Sequence, residues 1–289
     1  MLPSKLLRRR DVLAIGAAAA ISSWAKDPPA VPFPLRDGIP AVDYHAHPES
    51  GLTIDRALEI SKERGVKFGL LQHAGVKDSS SSDMVSNDDE LNAWIKSLEG
   101  KPAFKGIQAE RGNWRSAFSK DVIARLDYVL SDALTMPDKT GSLVKIWTSA
   151  FHTDDAQDFM DRYVDFHVEV MSRQPIDILA NPTFLPEALQ SDYEKLWTEK
   201  RMRKVIDAAV RFHIAIEINS RYRVPHLAFL EMAKDAGLKF SFGSNAHTAD
   251  QIGNIDYGVE MYRKLHLKLD QFFRPAPAGR KPIQVRTLA

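Results

Sequence analysis

Seven short apolar runs punctuate the chain, at residues 41–44, 68–72, 104–109, 128–130, 176–180, 214–218 and 239–242. Each is nearly continuous in branched or aromatic residues, the pattern of strands buried on both faces. The stretches between them read as helices at 53–64, 87–98, 154–172, 191–212 and 225–236, with a further one at 261–269 placed to close the barrel. Asp88, Asp89 and Glu90 open the second, where negative charge suits the helix dipole. Gly237 follows the fifth as a C-cap. Strand and helix alternate throughout, which predicts an α/β fold with a parallel sheet. Seven such units in about 250 residues point to a TIM-like (β/α)7 barrel rather than an open sheet.

The composition adds boundaries and exclusions. The 289 residues carry 39 Lys+Arg against 38 Asp+Glu, a formal net charge of +1. That balance removes the electrostatic case for nucleic acid as a partner. There is no cysteine, so any metal would have to use His, carboxylate, amide or water. Arg8-Arg9-Arg10 precede an apolar run from Val12 to Ile21, and Ser23 and Ala25 offer small residues for cleavage. This is the layout of an export signal over residues 1–25, and Arg9-Arg10-Asp11-Val12-Leu13 resembles a twin-arginine signal. A Pro-rich linker is expected at 26–40, the barrel at 41–270 and an irregular tail at 271–289. The expectation is a periplasmic or otherwise exported protein with no stable membrane insertion once the signal is cleaved.

Chemistry in such barrels collects at the carboxyl ends of the strands, and polar residues recur there. The first strand runs into Asp43-Tyr44-His45-Ala46-His47. His45 and His47, two apart, project to one side and suit chelation of one cation; Asp43 shares their parity and could fix an imidazole tautomer. Later strands end in Gln72-His73, Gln108-Ala109-Glu110-Arg111, Ser131-Asp132, Asn181-Pro182, Glu217-Ile218-Asn219 and Gly243-Ser244-Asn245-Ala246-His247. Taken singly, each has a plain structural reading: a surface His pair, a turn, or a carboxylate buried against an Arg. The weight lies in their recurrence at one end of one barrel.

The run Asp43-Tyr-His45-Ala-His47-Pro, with Gly243-Ser-Asn245-Ala-His247 far downstream, resembles the polymerase-and-histidinol-phosphatase (PHP) superfamily. Asp127-Tyr-Val-Leu-Ser, Ile178-Leu-Ala-Asn-Pro and Ile216-Glu-Ile-Asn219 resemble its fourth, fifth and sixth strand segments. The resemblance implies a distorted seven-stranded barrel that holds up to three metals and hydrolyses phosphoesters. It would give His45 and His47 to a first metal, make Glu110 a bridge to a second, and set His73 and His247 on a third. Asn245 enters the ligand set in place of the family's Asp. Further departures are Gln72 for Asp, Asn181 for a strand-five His, and Leu134 for a strand-four His with Asp132 nearby. Amide oxygens bind transition metals more weakly than carboxylate or imidazole, so one or two divalent ions (Mn, Zn or Fe) are expected.

The resulting expectation is a metal-dependent, phosphoesterase-like hydrolase of a small anionic molecule. His247 and His73 would carry protons, and Arg111 would act with them. Arg115, Arg221, Arg223, Asn181 and Asn219 would hold the substrate. Asp43, Gln72, Asp132 and Glu217 would support the ligands. Two other readings stay open: a binding protein on a degenerate scaffold, with Trp114 and Tyr222 stacking on a sugar-like ligand, or an amidohydrolase-like barrel. If the N-terminal signal is of the twin-arginine type, replacing Arg9 and Arg10 together by Lys should abolish export. Cell fractionation reads this as cytoplasmic retention of the full-length chain.

Overall fold

The structure is a computed structural model and describes residues 34–77 and 84–287. The expected export signal and most of the expected linker lie outside the described residues. Seven parallel strands form one sheet: β1 (Val42–Ala46), β2 (Lys67–Ala74), β3 (Phe104–Ala109), β4 (Tyr128–Ser131), β5 (Ile178–Leu179), β6 (Ala215–Asn219) and β7 (Phe240–Gly243). Their spatial order is their sequence order. The ends of the sheet meet, because Ala46 bridges Ala246 in parallel and the His47 N–H donates to the Ala246 carbonyl at 2.8 Å. The sheet is thus nearly closed into a barrel, as the alternation of elements predicts.

The main helices are α1 (Ile54–Arg64), α2 (Asp88–Ser97), α3 (Ala156–Arg173), α4 (Glu199–Phe212), α5 (Leu227–Asp235) and α6 (Asp256–Lys264). Their starts are written locally. Thr53 caps α1 through its side chain, Asn87 caps α2, and Asp155 accepts from two backbone N–H groups of α3. Three expectations need correction. The single helix expected at 191–212 is broken at Trp197-Thr198, where a buried Trp197 and an extended Thr198 end a short turn (Tyr193–Leu196) before α4 begins. The closing helix starts five residues before 261 and ends at Lys264. The tail carries one helical turn, Pro282–Val285, after an irregular run, and the Lys281 ammonium ties it to the Ala124 carbonyl at 2.8 Å. Leu35–Arg36 and Ile39–Pro40, in the expected linker, pair as an antiparallel hairpin. Among the described residues no helix is long and apolar enough to cross a membrane.

Aromatic rings plug the barrel's amino-terminal end. Tyr44 stacks on Phe104, meets Tyr128 edge-on at 5.3 Å, and lies against Phe273 from the tail. The Tyr128 side chain crosses β2 and β3 so closely that a Cβ at Gly69 would sit 2.3 Å from its hydroxyl and one at Gly106 2.5 Å from its ring. Those two glycines make room for the plug.

Closure is made by a buried carboxylate. Asp43 is fully buried and accepts from the Ser244 N–H at 2.9 Å, the Ser244 hydroxyl at 2.6 Å and the Gly253 N–H at 2.9 Å, as well as the His45 N–H. Burial raises its pKa and these hydrogen bonds oppose the rise. Asp43 therefore staples β1 to the segment after β7. Among the described residues its carboxylate makes no hydrogen bond to an imidazole ring, which corrects its expected role in fixing a ligand tautomer. Gly243 faces the same seam, where a Cβ would sit 2.0 Å from Glu217 Oε1 and 2.8 Å from His45 Cβ. Gly243→Ala should cost about 3 kcal/mol by overpacking, read from urea unfolding against wild type.

Candidate metal centre

Above the aromatic plug, the strand ends bring four imidazoles together. His45 and His47 are both fully buried. The His45 ring is held at both nitrogens: Nδ1 lies 2.6 Å from Glu217 Oε1, and Nε2 lies 3.0 Å from Gln108 Oε1. Burial pushes the His45 pKa down, but the Glu217 charge and hydrogen bond outweigh it and the net shift is upward. The same pairing holds Glu217 below the ordinary carboxylate range despite its burial. The second Glu217 oxygen accepts from the Asn181 N–H at 2.9 Å and from the Asn219 side-chain amide at 3.0 Å. His45, Glu217, Asn181 and Asn219 thus form a satisfied buried network.

His47 is different. Its ring packs on His73 at 4.5 Å and on His247 at 4.6 Å, with the planes within 9° and 1° of parallel. Neither ring nitrogen meets a partner within hydrogen-bonding geometry, although both are buried and the Gln108 amide lies close enough to act weakly on the ring. Burial, together with the neighbouring imidazoles, holds its pKa well below the ordinary value, so His47 is neutral. His73 gives Nδ1 to Glu110 Oε1 at 2.7 Å; burial pushes its pKa down, but the Glu110 hydrogen bond and the charges of Glu110, Glu49 and Asp132 together carry it upward. His247 gives Nδ1 to Glu49 Oε1, and this bond draws the Glu49 pKa down. One ligand atom each from His47, Glu49, His73 and His247 lies within 4.8 Å of the other three.

Three imidazoles and a carboxylate at this spacing are a set suited to a divalent transition metal. The unpartnered nitrogens of His47 fit a cation too, since a buried polar atom without a partner is costly unless something binds it. The contacts at His73 and His247 fix their tautomers, because a carboxylate on Nδ1 leaves the Nε2 lone pair free.

The expected set is therefore redrawn. His47, His73 and His247 converge. His45 stands beside them with both nitrogens engaged by Glu217 and Gln108. Glu110 holds His73 rather than joining the cluster, and Glu49 supplies the carboxylate. Glu49 continues the spacing of Asp43, His45 and His47, the one signal that could have marked it. Gln72 neighbours His73 on β2, so its side chain turns to the other face, and no hydrogen bond joins it to the imidazoles among the described residues.

A cavity of about 410 Å³ opens over the cluster. Arg111, Asp132, Asn181, Tyr222 and Asn245 line it, as does Leu134. The Asp132 carboxyl accepts from Asn181 at 3.1 Å and Gln108 at 3.4 Å; burial and the nearby Glu110 charge raise its pKa to about 6. Arg111, Asn181 and Asn245 all have φ between 48° and 67°, each at the kink where a strand ends. Asn tolerates that left-handed conformation better than most residues, which gives the two amides a backbone reason to be there.

Other expected substrate contacts fall away from the cavity. Arg115 faces a separate groove along α3. Arg223 pairs with Glu260 and lies over Tyr257 at the surface. Arg221 donates to the Asn245 carbonyl at 3.1 Å and so braces the loop after β7. Asn219 is spent on Glu217 and Asn181. Trp114 is fully buried and cannot stack on a ligand.

No protein-family model and no curated protein matches this chain. Among solved structures it is similar to a phospho-2-dehydro-3-deoxyheptonate aldolase from Thermotoga maritima at 11% identity and a TM-score of 0.40. The match covers 78% of this chain and 58% of that one.

The His45–Glu217 pair ties stability to pH. The raised His45 value contributes stability that is complete below its ordinary 6.5 and is lost as pH rises through the folded value. The lowered Glu217 value contributes stability that is complete above its ordinary 4.5 and is lost as pH falls through the folded value. The two gains overlap fully between pH 4.5 and 6.5. In chelator-treated protein, Glu217→Gln should lose about 3 kcal/mol. The loss should be largest in that window, as measured by urea unfolding at a series of pH values.

Proposed function

We propose that this chain is a metal-dependent hydrolase of phosphoester type, built on a PHP-like barrel with one resident divalent ion. The observation that carries the reading is His47: a buried, neutral imidazole with both nitrogens unpartnered, among donors from Glu49, His73 and His247. Mn, Zn and Fe suit this donor set. When bound, such an ion polarises an ester oxygen and acidifies a water.

The chain's own residues account for the rest of the chemistry. Glu110 and Glu49 hold His73 and His247 by Nδ1, so these two imidazoles serve as ligands rather than as the proton carriers expected from sequence. Asp132 takes the proton role. It lines the cavity, and with a pKa of about 6 it can hold or release a proton near neutral pH. Arg111, also in the lining, attracts the anionic group of the substrate. The amides of Asn181 and Gln108 orient the Asp132 carboxyl. The export expected from the N-terminal signal would place this activity outside the cytoplasm.

The test is metal analysis joined to an activity screen. Protein purified and reloaded with Mn, Zn or Fe should hold one ion per chain and hydrolyse some phosphomonoester. His47→Ala combined with His247→Ala should abolish tight metal binding and lower activity by at least about a hundredfold. Asp132→Asn should keep the metal but lower kcat by about a hundredfold or more and remove the pH-rate limb near 6. Stoichiometric metal with no hydrolysis of any ester would favour a binding protein on this scaffold.

A further inference from the structure

The longest strand-to-helix connection among the described residues runs from β4 to α3, residues 132–155. Connections of this length in compact domains are usually functional. Here it folds into an antiparallel hairpin, Thr135–Pro137 against Leu143–Lys145. Alternation divides the hairpin into two faces. Met136 and, just past the second strand, Ile146 are buried, and the Ile146 N–H donates to the Leu134 carbonyl at 3.0 Å. The hairpin is therefore fixed to the barrel as a wall. Thr135, Lys145 and Trp147 instead line the cavity above the metal cluster.

Two features of that wall point to a ligand. Trp147 is 41% exposed and lines the cavity, so its ring is accessible to a ligand there. Lys145 lies 5.7 Å from its ring centroid and has no carboxylate partner among the described residues. Tyr222 adds a second ring to the same lining. The cavity thus joins an aromatic wall bearing a free ammonium to a metal-binding floor.

We propose that this hairpin selects substrates in which a flat aromatic ring is joined to a phosphate, with the ring on Trp147 and the phosphate held by Lys145. This deepens the hydrolase reading and rests on it for the reaction, but the recognition itself is a matter of binding. A ring stacked on an indole face gains dispersion and π contact that a methyl group cannot supply. The ammonium attracts the anion whichever alcohol it carries.

The experiment measures binding and turnover separately, on the full chain loaded with Mn. By titration calorimetry, phenylphosphonate should bind at least about tenfold tighter than methylphosphonate. Trp147→Ala should bring the ratio close to one. Lys145→Gln should weaken both phosphonates by a similar factor, about five- to tenfold, and leave their ratio intact. Leu143→Ala, on the same hairpin but outside the cavity lining, should keep the ratio. Equal affinities in wild type, or an unchanged ratio in a folded Trp147→Ala, would overturn the proposal. Hydrolysis of phenyl and methyl phosphate is followed in parallel. A Trp147-dependent binding preference without turnover would sink the hydrolase reading and leave the aromatic wall standing. Turnover without a binding preference would do the reverse.

Discussion

A carboxylate taken wholly out of water has to be met at both oxygens, and Glu217 is met by three strands at once. His45 comes from β1, the Asn181 backbone from the end of β5, and Asn219 from the end of its own strand, β6. A buried ion pair gains little over an apolar pair of the same volume, but breaking one is costly. The pair is therefore best understood as a device for specificity. It fixes the β1 and β5 ends relative to β6 to within hydrogen-bond tolerance, and the first of these ends carries His47, on which His73 from β2 and His247 from beyond β7 stack. Asp43 does the same at the seam between β1 and the segment after β7. Two carboxylates, one on each side of His45, hold the frame.

Within that frame the polar groups divide into those that are satisfied and those that are not. His45 has a partner at each nitrogen. His47, only two residues further along, has none. Trp114, Tyr163, His167 and Trp197 also bury a polar atom without a partner, so it is the Glu49, His73 and His247 donors around His47 that single it out as a position for a ligand. The division also explains why a motif of two histidines need not mean two ligands. The first can hold the strand while the second stacks between the imidazoles of the cluster.

The fold was legible in the sequence because strands buried on both faces announce themselves as apolar runs. Seven such runs became seven strands in the expected order. The helix at 191–212 was misjudged because Trp197 keeps the apolar rhythm while its backbone leaves the helix. The convergence of His47, His73 and His247 could be anticipated, since all three sit at strand ends. Glu49 was signalled only by its continuing the spacing of Asp43, His45 and His47, a weak sign because it lies beyond the strand, where alternation no longer governs direction. The arginines after β3 and β6 were the weakest inference. A loop residue's position along the chain says little about which way it turns, and Arg115 and Arg223 turn away. Asn181 and Asn245 looked like lost ligands, whereas their left-handed backbone supplies a conformational reason for an amide at those points.

The aromatic plug has a consequence for biogenesis. Tyr44, in the first strand, completes its packing only against Phe272 and Phe273, and its hydroxyl reaches the Phe273 carbonyl. Lys281 and Arg286 then bond to carbonyls at Ala124, Leu126, Met171 and Gln174. A growing polypeptide cannot finish this floor until the stretch around 270–286 has cleared the ribosome. The barrel should therefore mature only once that stretch has emerged, with β1 waiting, unfinished, for a partner 229 residues downstream.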